Sequence, residues 1–382
     1  MRKVYLDNGS TSFPKAPGVG SVIKEYLENV GCNIGRGGYE SSYSLAERIF
    51  NTKEKLCNLF SFNQESNVVF TPNVTYSLNF VIGGLLHSGD HVIISSMEHN
   101  AVARPIEAAR MRGVNVSIVK CDNKGRLNPK DLEDLISTDT KAVVLMHGSN
   151  VCGTLMPLTE VGAICKKYGV FFIVDTAQSA GVFPLDMDEM QIDGLAFTGH
   201  KGLLGPQGIG GLLLREKLGS AISPIIYGGT GSMSDSLLMP EFLPDKLEAG
   251  TLNLPGILGL SAALDYIKKT GIDTIRKKEL ALTEIFLGAM KNHKEIKVIG
   301  LDSIEGRCPI VSLDFPNRDN AEIAYQLDGE YGIMTRCGLH CAPLAHKTLG
   351  TFPQGTVRFA FGHFNTEEEV QYAVNAIYSL LK

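Results

Sequence analysis

Between residues 65 and 215 short apolar runs alternate with stretches in which apolar residues recur every three or four positions. The runs lie at 67–70, 91–95, 114–119, 142–146, 170–174, 194–197 and 211–214. Runs without polar alternation suit strands buried on both faces. The intervening stretches predict helices over 75–86, 101–112, 129–136 and 157–168. Strand and helix in turn read as βα units on a mostly parallel, seven-stranded α/β sheet. Such sheets gather ligands at the carboxyl ends of their strands.

Near residue 255 the pattern changes. Helices are expected over 256–269 and 273–293, strands over 296–299, 309–315 and 356–361, and a last helix over 366–381. Strands set between helices suggest a small C-terminal α+β domain. A chain of 382 residues exceeds one average domain. The division expected is a large domain over 15–255 and a small one over 256–382. Residues 227–247, rich in Gly, Ser, Met and Pro, read as a long functional or interface loop.

Composition narrows the function classes. Net charge is −5, so no strong field favours nucleic acid or anionic lipid. No window holds eighteen consecutive apolar residues, and the first residues lack an apolar signal core, so a cytoplasmic protein without a membrane span is expected. The eight cysteines (Cys32, Cys57, Cys121, Cys152, Cys165, Cys308, Cys337 and Cys341) form no CxxC pair and show no zinc-ligand spacing. No metal site is expected, and most of these thiols read as reduced and buried.

The chemistry clusters at strand ends. Asp175 closes the run at 170–174, and Lys201 follows the run at 194–197 in Thr198-Gly199-His200-Lys201-Gly202. A Schiff-base lysine and a carboxylate on a pyridinium nitrogen are what a pyridoxal phosphate site needs. Asn73-Val74-Thr75 joins a strand to a helix, whose free N–H groups suit a phosphate; in isolation it reads first as a capped helix start. His99 could stack on a pyridine ring, and Gln178 and Asn150 could donate to its phenolic oxygen. Thr198 and His200 could hold phosphate. Each has a plainer reading: a loop histidine, an aspartate capping a helix, a surface lysine in a glycine-rich loop.

The motifs Glu98-His99, His147-Gly148-Ser149-Asn150, Asp175-Thr176-Ala177-Gln178, Thr198-Gly199-His200-Lys201, Glu248-Ala249-Gly250-Thr251 and Arg336-Cys337-Gly338-Leu339-His340-Cys341-Ala342 carry a likeness over nearly the whole chain. The chain resembles the class-V aminotransferase family, within it the cysteine desulfurase and selenocysteine lyase branch. That resemblance implies the type I fold of pyridoxal phosphate enzymes, with residues 1–14 packing on the small domain. It implies Lys201 as the Schiff-base residue, Asp175 on the ring nitrogen, His99 on the ring, and Thr75, Thr198 and His200 on the phosphate. Thr251 would reach the neighbouring active site of a homodimer. Arg358, with Asn150 and Arg336, would bind the substrate carboxylate. Cys341 would accept sulfur from L-cysteine and pass it to an acceptor protein. L-selenocysteine as substrate, or another lyase or transaminase reaction with Cys341 incidental, stays open. So does Cys337, either as packing or as a second thiol that takes the persulfide. His340 could lower the Cys341 pKa or lie in water. Three departures from the family pattern stand out: Gly35 in place of a histidine, Asn73-Val74-Thr75 at the phosphate turn, and the extra Cys337.

Overall fold

The structure is a computed structural model that describes residues 2–34 and 37–382; the departure at Gly35 lies outside them. The chain opens with β1 (Val4–Tyr5), α1 (Val19–Glu25) and α2 (Glu40–Leu59). α2 buries Leu45, Ile49 and Leu56, a stripe at helical spacing. The sequence reading had no element here; the aromatic Tyr43 and Phe50 on the exposed face blur the helical stripe.

Next come β2 (Val68–Thr71), α3 (Val74–Leu85), β3 (His91–Ser95), α4 (Asn100–Met111), β4 (Asn115–Val119) and α5 (Pro129–Glu133). They are followed by β5 (Thr140–Met146), α6 (Leu158–Tyr168), β6 (Phe171–Asp175), β7 (Gly194–Thr198), β8 (Gly210–Leu214) and α7 (Glu216–Ala221). Among the described residues seven strands form the large sheet, in the order β2-β8-β7-β6-β5-β3-β4. β4, β3, β5, β6 and β7 pair in parallel, and β8 runs antiparallel to both its neighbours. The expected α/β class and mostly parallel sheet are therefore present. Alternate residues feed two cores. Ile93, Val143, Leu145, Phe172, Val174, Leu195 and Phe197 face one side. Val92, Ile94, Ala142, Val144, Ile173 and Ala196 face the other. β4, at the sheet's edge, shows exposed positions.

The remainder comprises α8 (Leu254–Thr270), α9 (Ile272–Met290), β9 (Lys297–Ile299), β10 (Ile310–Asp314), α10 (Asn320–Tyr331), β11 (Ile333–Met334), β12 (Arg336–Gly338), α11 (Pro343–Thr348), β13 (Thr356–Ala360) and α12 (Glu367–Leu380). β12-β13-β10-β9 form an antiparallel sheet. Its core joins Phe286 and Leu282 of α9 to Val311, Val357 and Phe359. α8 instead buries Ile257, Leu260 and Ala263 in one of the large sheet's cores. A capping box between Thr366 and Glu369 starts α12. Residues 227–247 form neither helix nor strand, and Tyr227, Leu237 and Leu238 there are exposed.

Two features position a site. β5 and β6 end in register, Met146 beside Asp175, and Asp175 lies opposite Ala196 of β7. The N-terminal segment crosses to the small sheet, where β1 pairs with β11 and Asp7 bridges to Ala360.

Candidate active site

Asp175 ends β6 inside the protein. Its Oδ1 accepts the Ala177 N–H at 2.9 Å. Burial pushes its carboxyl up, while that N–H and the Lys201 charge pull it down. Lys201 lies three residues past β7. Burial, and then the Arg358 charge, lower its ammonium to about 8, and Asp175 works in the opposite direction. Part of the amine is therefore uncharged and nucleophilic near neutral pH.

His99 caps α4, its Nδ1 accepting the Ala101 N–H at 3.0 Å. Burial, then Lys201, Arg336, Arg358 and Arg104, hold the imidazole to about 4. The ring is neutral and carries its proton on Nε2. Glu98 beside it is fully buried. It accepts from the Ser95 hydroxyl and from the Met146 N–H at 3.0 Å, which ties the end of β3 to the end of β5 and fixes the turn that carries His99 into α4. Burial pushes this carboxyl to about 8. The sequence showed Glu98 only as a motif neighbour.

At the start of α3, Asn73 Oδ1 accepts from the Thr75 N–H at 3.0 Å and the Tyr76 N–H at 3.3 Å. The capped-helix reading of this segment holds: two of its first N–H groups are engaged, Val74 is buried and Thr75 is exposed. Thr198 Oγ1 and His200 Nδ1 are buried with no partner among the described residues. Burial, then the charges of Lys201 and Lys15, hold His200 to about 4. Its carbonyl accepts from Lys15 Nζ at 2.8 Å and from the Ser12 N–H at 2.9 Å. Burial lowers Lys15 to about 8; sequence reasoning had passed over it.

Gln178 donates from Nε2 to the Gly9 carbonyl at 3.0 Å, so one of its amide hydrogens is engaged within the chain. Asn150 donates to the His340 carbonyl at 2.7 Å, and its Oδ1 is buried without a partner among the described residues.

Two guanidinium groups converge nearby. Arg358, on β13, is 1% exposed. It donates to Asp7 Oδ1 at 2.8 Å, Ser10 Oγ at 2.8 Å and the Asn150 carbonyl at 3.0 Å. Arg336, its register partner on β12, donates to Ser10 Oγ at 2.8 Å and lies 3.8 Å from Cys341 Sγ. Asp7 and Ser10, separated from Arg358 by about 350 residues, had no sequence signal.

Cys341 is exposed on the short turn between β12 and α11. Its carbonyl accepts the Asn100 N–H at 2.8 Å, which fastens the turn beside His99. The His340 ring points inward rather than into water or toward the thiol. Burial, then Arg358, hold it to about 2, so it is neutral and supplies no charge to Cys341; both expectations for His340, lowering the thiol's pKa and lying in water, are corrected. Cys337 alternates with Arg336 on β12 and packs against the small sheet's core, which raises its thiol pKa. Packing is the role its surroundings support. Thr251 is exposed and lines a surface cavity of about 260 Å³ with Pro72, Tyr76, Ile226 and Glu248.

The cluster thus offers a nucleophilic amine, a buried acid, a neutral imidazole, two cations suited to a carboxylate and an exposed thiol. Residues 4–373 match the model of the family described as aminotransferase class-V. The chain belongs to the class-V aminotransferases. Within that family it is 35% identical to a probable cysteine desulfurase of Methanothermobacter thermautotrophicus, covering 96% of this chain and 92% of the relative. It is 31% identical to a cysteine desulfurase of Haloferax volcanii, over 98% and 88%. The apo cysteine desulfurase structure from Thermococcus onnurineus NA1 matches this class-V chain with a TM-score of 0.92 at 31% identity, over 99% and 94%. An Escherichia coli cysteine desulfurase matches with 0.89 at 29%, over the same shares. No helix among the described residues is long and apolar enough to cross a membrane.

Proposed function

We propose that this class-V aminotransferase is a pyridoxal phosphate-dependent cysteine desulfurase, which converts L-cysteine to L-alanine and takes the sulfur on Cys341 as a persulfide. The observation that carries the reading is the meeting of the Lys201 amine, Asp175, His99 and the Arg358 guanidinium with an exposed thiol 3.8 Å from Arg336.

The residues fit the cofactor. Thr198 Oγ1 and His200 Nδ1 are buried polar atoms without a protein partner among the described residues, and they flank Lys201. Lys201 would hold the aldehyde and Asp175 would face the ring nitrogen. His99 would lie on the ring plane and Gln178 would reach the phenolic oxygen with its remaining amide hydrogen. The phosphate would fall to Thr198 and His200 with the Asn73-Val74-Thr75 turn. Thr251 would complete the phosphate site of a second copy, and the exposed Tyr76, Ile226, Leu237 and Leu238 supply apolar surface for such a homodimer. When bound, pyridoxal phosphate supplies a ring that accepts negative charge from the substrate's α-carbon.

The chain's own residues do the rest. Arg358, with Asn150 and Arg336, orients the substrate carboxylate. Lys201, released from its covalent role, takes the α-proton, a task suited to an amine with a pKa near 8. The Cys341 thiolate attacks the substrate sulfur. An S–S bond forms, the substrate's C–S bond breaks, and its electron pair passes to the β-carbon, which gains a proton as alanine leaves. The exposed position of Cys341 leaves the persulfide open to a sulfur-acceptor protein. We assign residues 1–14 to the small domain of 256–382 and 15–255 to the cofactor-binding domain, with α8 of the former packed into the latter's core.

The test incubates purified, cofactor-loaded protein with L-cysteine and a reductant. Alanine and sulfide in equal amounts are expected; a keto acid in place of alanine overturns the reading. Cys341→Ala should lower alanine release by about a hundredfold or more, the scale of losing a reacting group. It should leave the visible absorbance of the bound cofactor intact.

A further inference from the structure

Two consecutive residues with side chains, His340 at φ 50° and Cys341 at φ 57°, sit in the left-handed region. L-residues disfavour that conformation and persist there only when their surroundings hold them. From outside, the Asn150 amide grips the His340 carbonyl and the Asn100 N–H grips the Cys341 carbonyl. Beneath the turn runs a second support that the chemistry at Lys201 does not use. His340 Nε2 lies 3.2 Å from the Arg336 carbonyl, His340 Nδ1 3.3 Å from His346 Nε2, and His346 Nδ1 2.7 Å from Thr351 Oγ1. All three side chains are buried.

The polarity of this chain follows from its first member. A carbonyl oxygen only accepts, so His340 Nε2 carries a hydrogen. Burial holds both rings neutral, His340 to about 2 and His346 to about 4, with Arg358 and Arg336 opposing a proton on His340. His340 Nδ1 is then an acceptor, His346 Nε2 the donor to it, and His346 Nδ1 the acceptor of the Thr351 hydroxyl hydrogen. Every link has one donor and one acceptor, which runs from Thr351 to the backbone of β12.

We propose that His346 and Thr351 are positioning residues which, through His340, hold the left-handed turn that presents Cys341 to the Lys201 site. The proposal rests on Cys341 as the sulfur acceptor. Neither residue touches substrate or cofactor. Their loss should therefore slow sulfur transfer while the carboxylate grip of Arg358 and the covalent role of Lys201 remain.

The experiment compares His346→Leu, which removes both ring nitrogens, with His346→Gln, whose amide can donate to His340 and accept from Thr351. Each holoenzyme is assayed for alanine release from L-cysteine, for the cofactor absorbance, and for hydrogen exchange of peptides spanning 336–351. His346→Leu should lower kcat on the order of tenfold to a hundredfold, the scale of a small misplacement of a reacting group. KM and absorbance should stay at wild-type values, and exchange should quicken in that peptide alone. His346→Gln should restore both kcat and protection. Wild-type kcat and exchange in His346→Leu overturn the proposal, as does a His346→Gln variant as impaired as His346→Leu. If His346→Leu fails to fold, Thr351→Val and Thr351→Ser carry the same comparison. Only the serine variant should match wild type, and equal kcat in both overturns the proposal. A wild-type protein that releases no alanine refutes the desulfurase reading, and the exchange comparison alone then decides whether the turn is held from below.

Discussion

Arg358 cannot clamp a substrate carboxylate without settling accounts with Asp7, and that competition is testable. The guanidinium lies 2.8 Å from Asp7 Oδ1; the arginine side chain is 2% exposed and the aspartate 19%. Asp7→Asn keeps shape and an acceptor oxygen but removes the charge. A hydrogen bond to a charged group contributes about 1.5–3 kcal/mol. Removing one partner of a fully buried pair costs about 3–5 kcal/mol. Water reaches Asp7 but scarcely reaches Arg358, so the stranded guanidinium dominates, and a loss of about 2–3 kcal/mol in urea unfolding is expected. Kinetically the sign reverses. A guanidinium freed from Asp7 takes a substrate carboxylate more readily, so KM for L-cysteine should fall. Arg358→Ala removes the clamp, and KM should rise roughly tenfold to a hundredfold, the equivalent of one charged hydrogen bond. Opposite shifts in KM from the two variants are the result required. If Asp7→Asn raises KM as Arg358→Ala does, Asp7 positions this arginine instead of competing with substrate for it, and the competition is refuted; an unchanged KM in Arg358→Ala overturns the assignment of Arg358.

Stability should decline on acidification below about pH 6.5. His99, His147, His200 and His346 are held to about 4 and His340 to about 2, burial being the largest cause in each. The unfolded chain takes those protons first, so the stability they contribute is full above the ordinary imidazole value and drains as pH falls toward 4. Glu98 and Glu279, pushed by burial to about 8, act oppositely and lose their contribution as pH rises toward 8. Burial also raises Asp175, Asp193 and Glu248 and lowers His91 and His363. Seven imidazoles outweigh five carboxyls, so urea midpoints should drop from pH 6.5 to 4.5, by up to about 1.4 kcal/mol per pH unit for each unbalanced proton; a flat profile contradicts this. Gly355→Ala should destabilise by about 2 kcal/mol or more, because φ is 78° and a Cβ would press on the Gly338 carbonyl. The thermal midpoint reads that loss, and an unchanged midpoint would show that β12 moves aside freely.

The large sheet was legible because its strands are buried on both faces, where a continuous run such as Phe171–Asp175 has no other stable setting. Helix ends differed from expectation by no more than three residues, the usual fraying of boundaries. α10, α11, β11 and β12 went unread because they are short or polar and owe their form to the small core they pack on. In the site, residues at strand ends announced themselves by motif. Those that aim the motif did not. Asp7 and Ser10 act on Arg358 across almost the whole chain, and no local pattern marks that pairing. His340 was misjudged for a different reason. Only glycine advertises a left-handed conformation in sequence, and it is the left-handed pair at 340 and 341 that carries the ring under the turn.

The N-terminal segment makes one site of two separately built parts. Its Gly9 carbonyl takes the Gln178 amide, and Ser12 and Lys15 hold the His200 carbonyl, all on the large-sheet side beside Asp175 and Lys201. Its Asp7 and Ser10 hold Arg358 and Arg336 on the small-sheet side. Few of these contacts bury apolar area. Their value lies in geometry, since together with the direct contacts of Asn150 and Asn100 they keep a lysine loop and an arginine strand drawn from different sheets at one spacing. A shift of about 1 Å between them would cost more in rate than most of these bonds cost in stability. The strand pairing of β1 with β11 and the bridge from Asp7 to Ala360 anchor the segment to the small sheet by backbone. Side-chain changes along it should therefore alter substrate affinity and turnover before they unfold the protein.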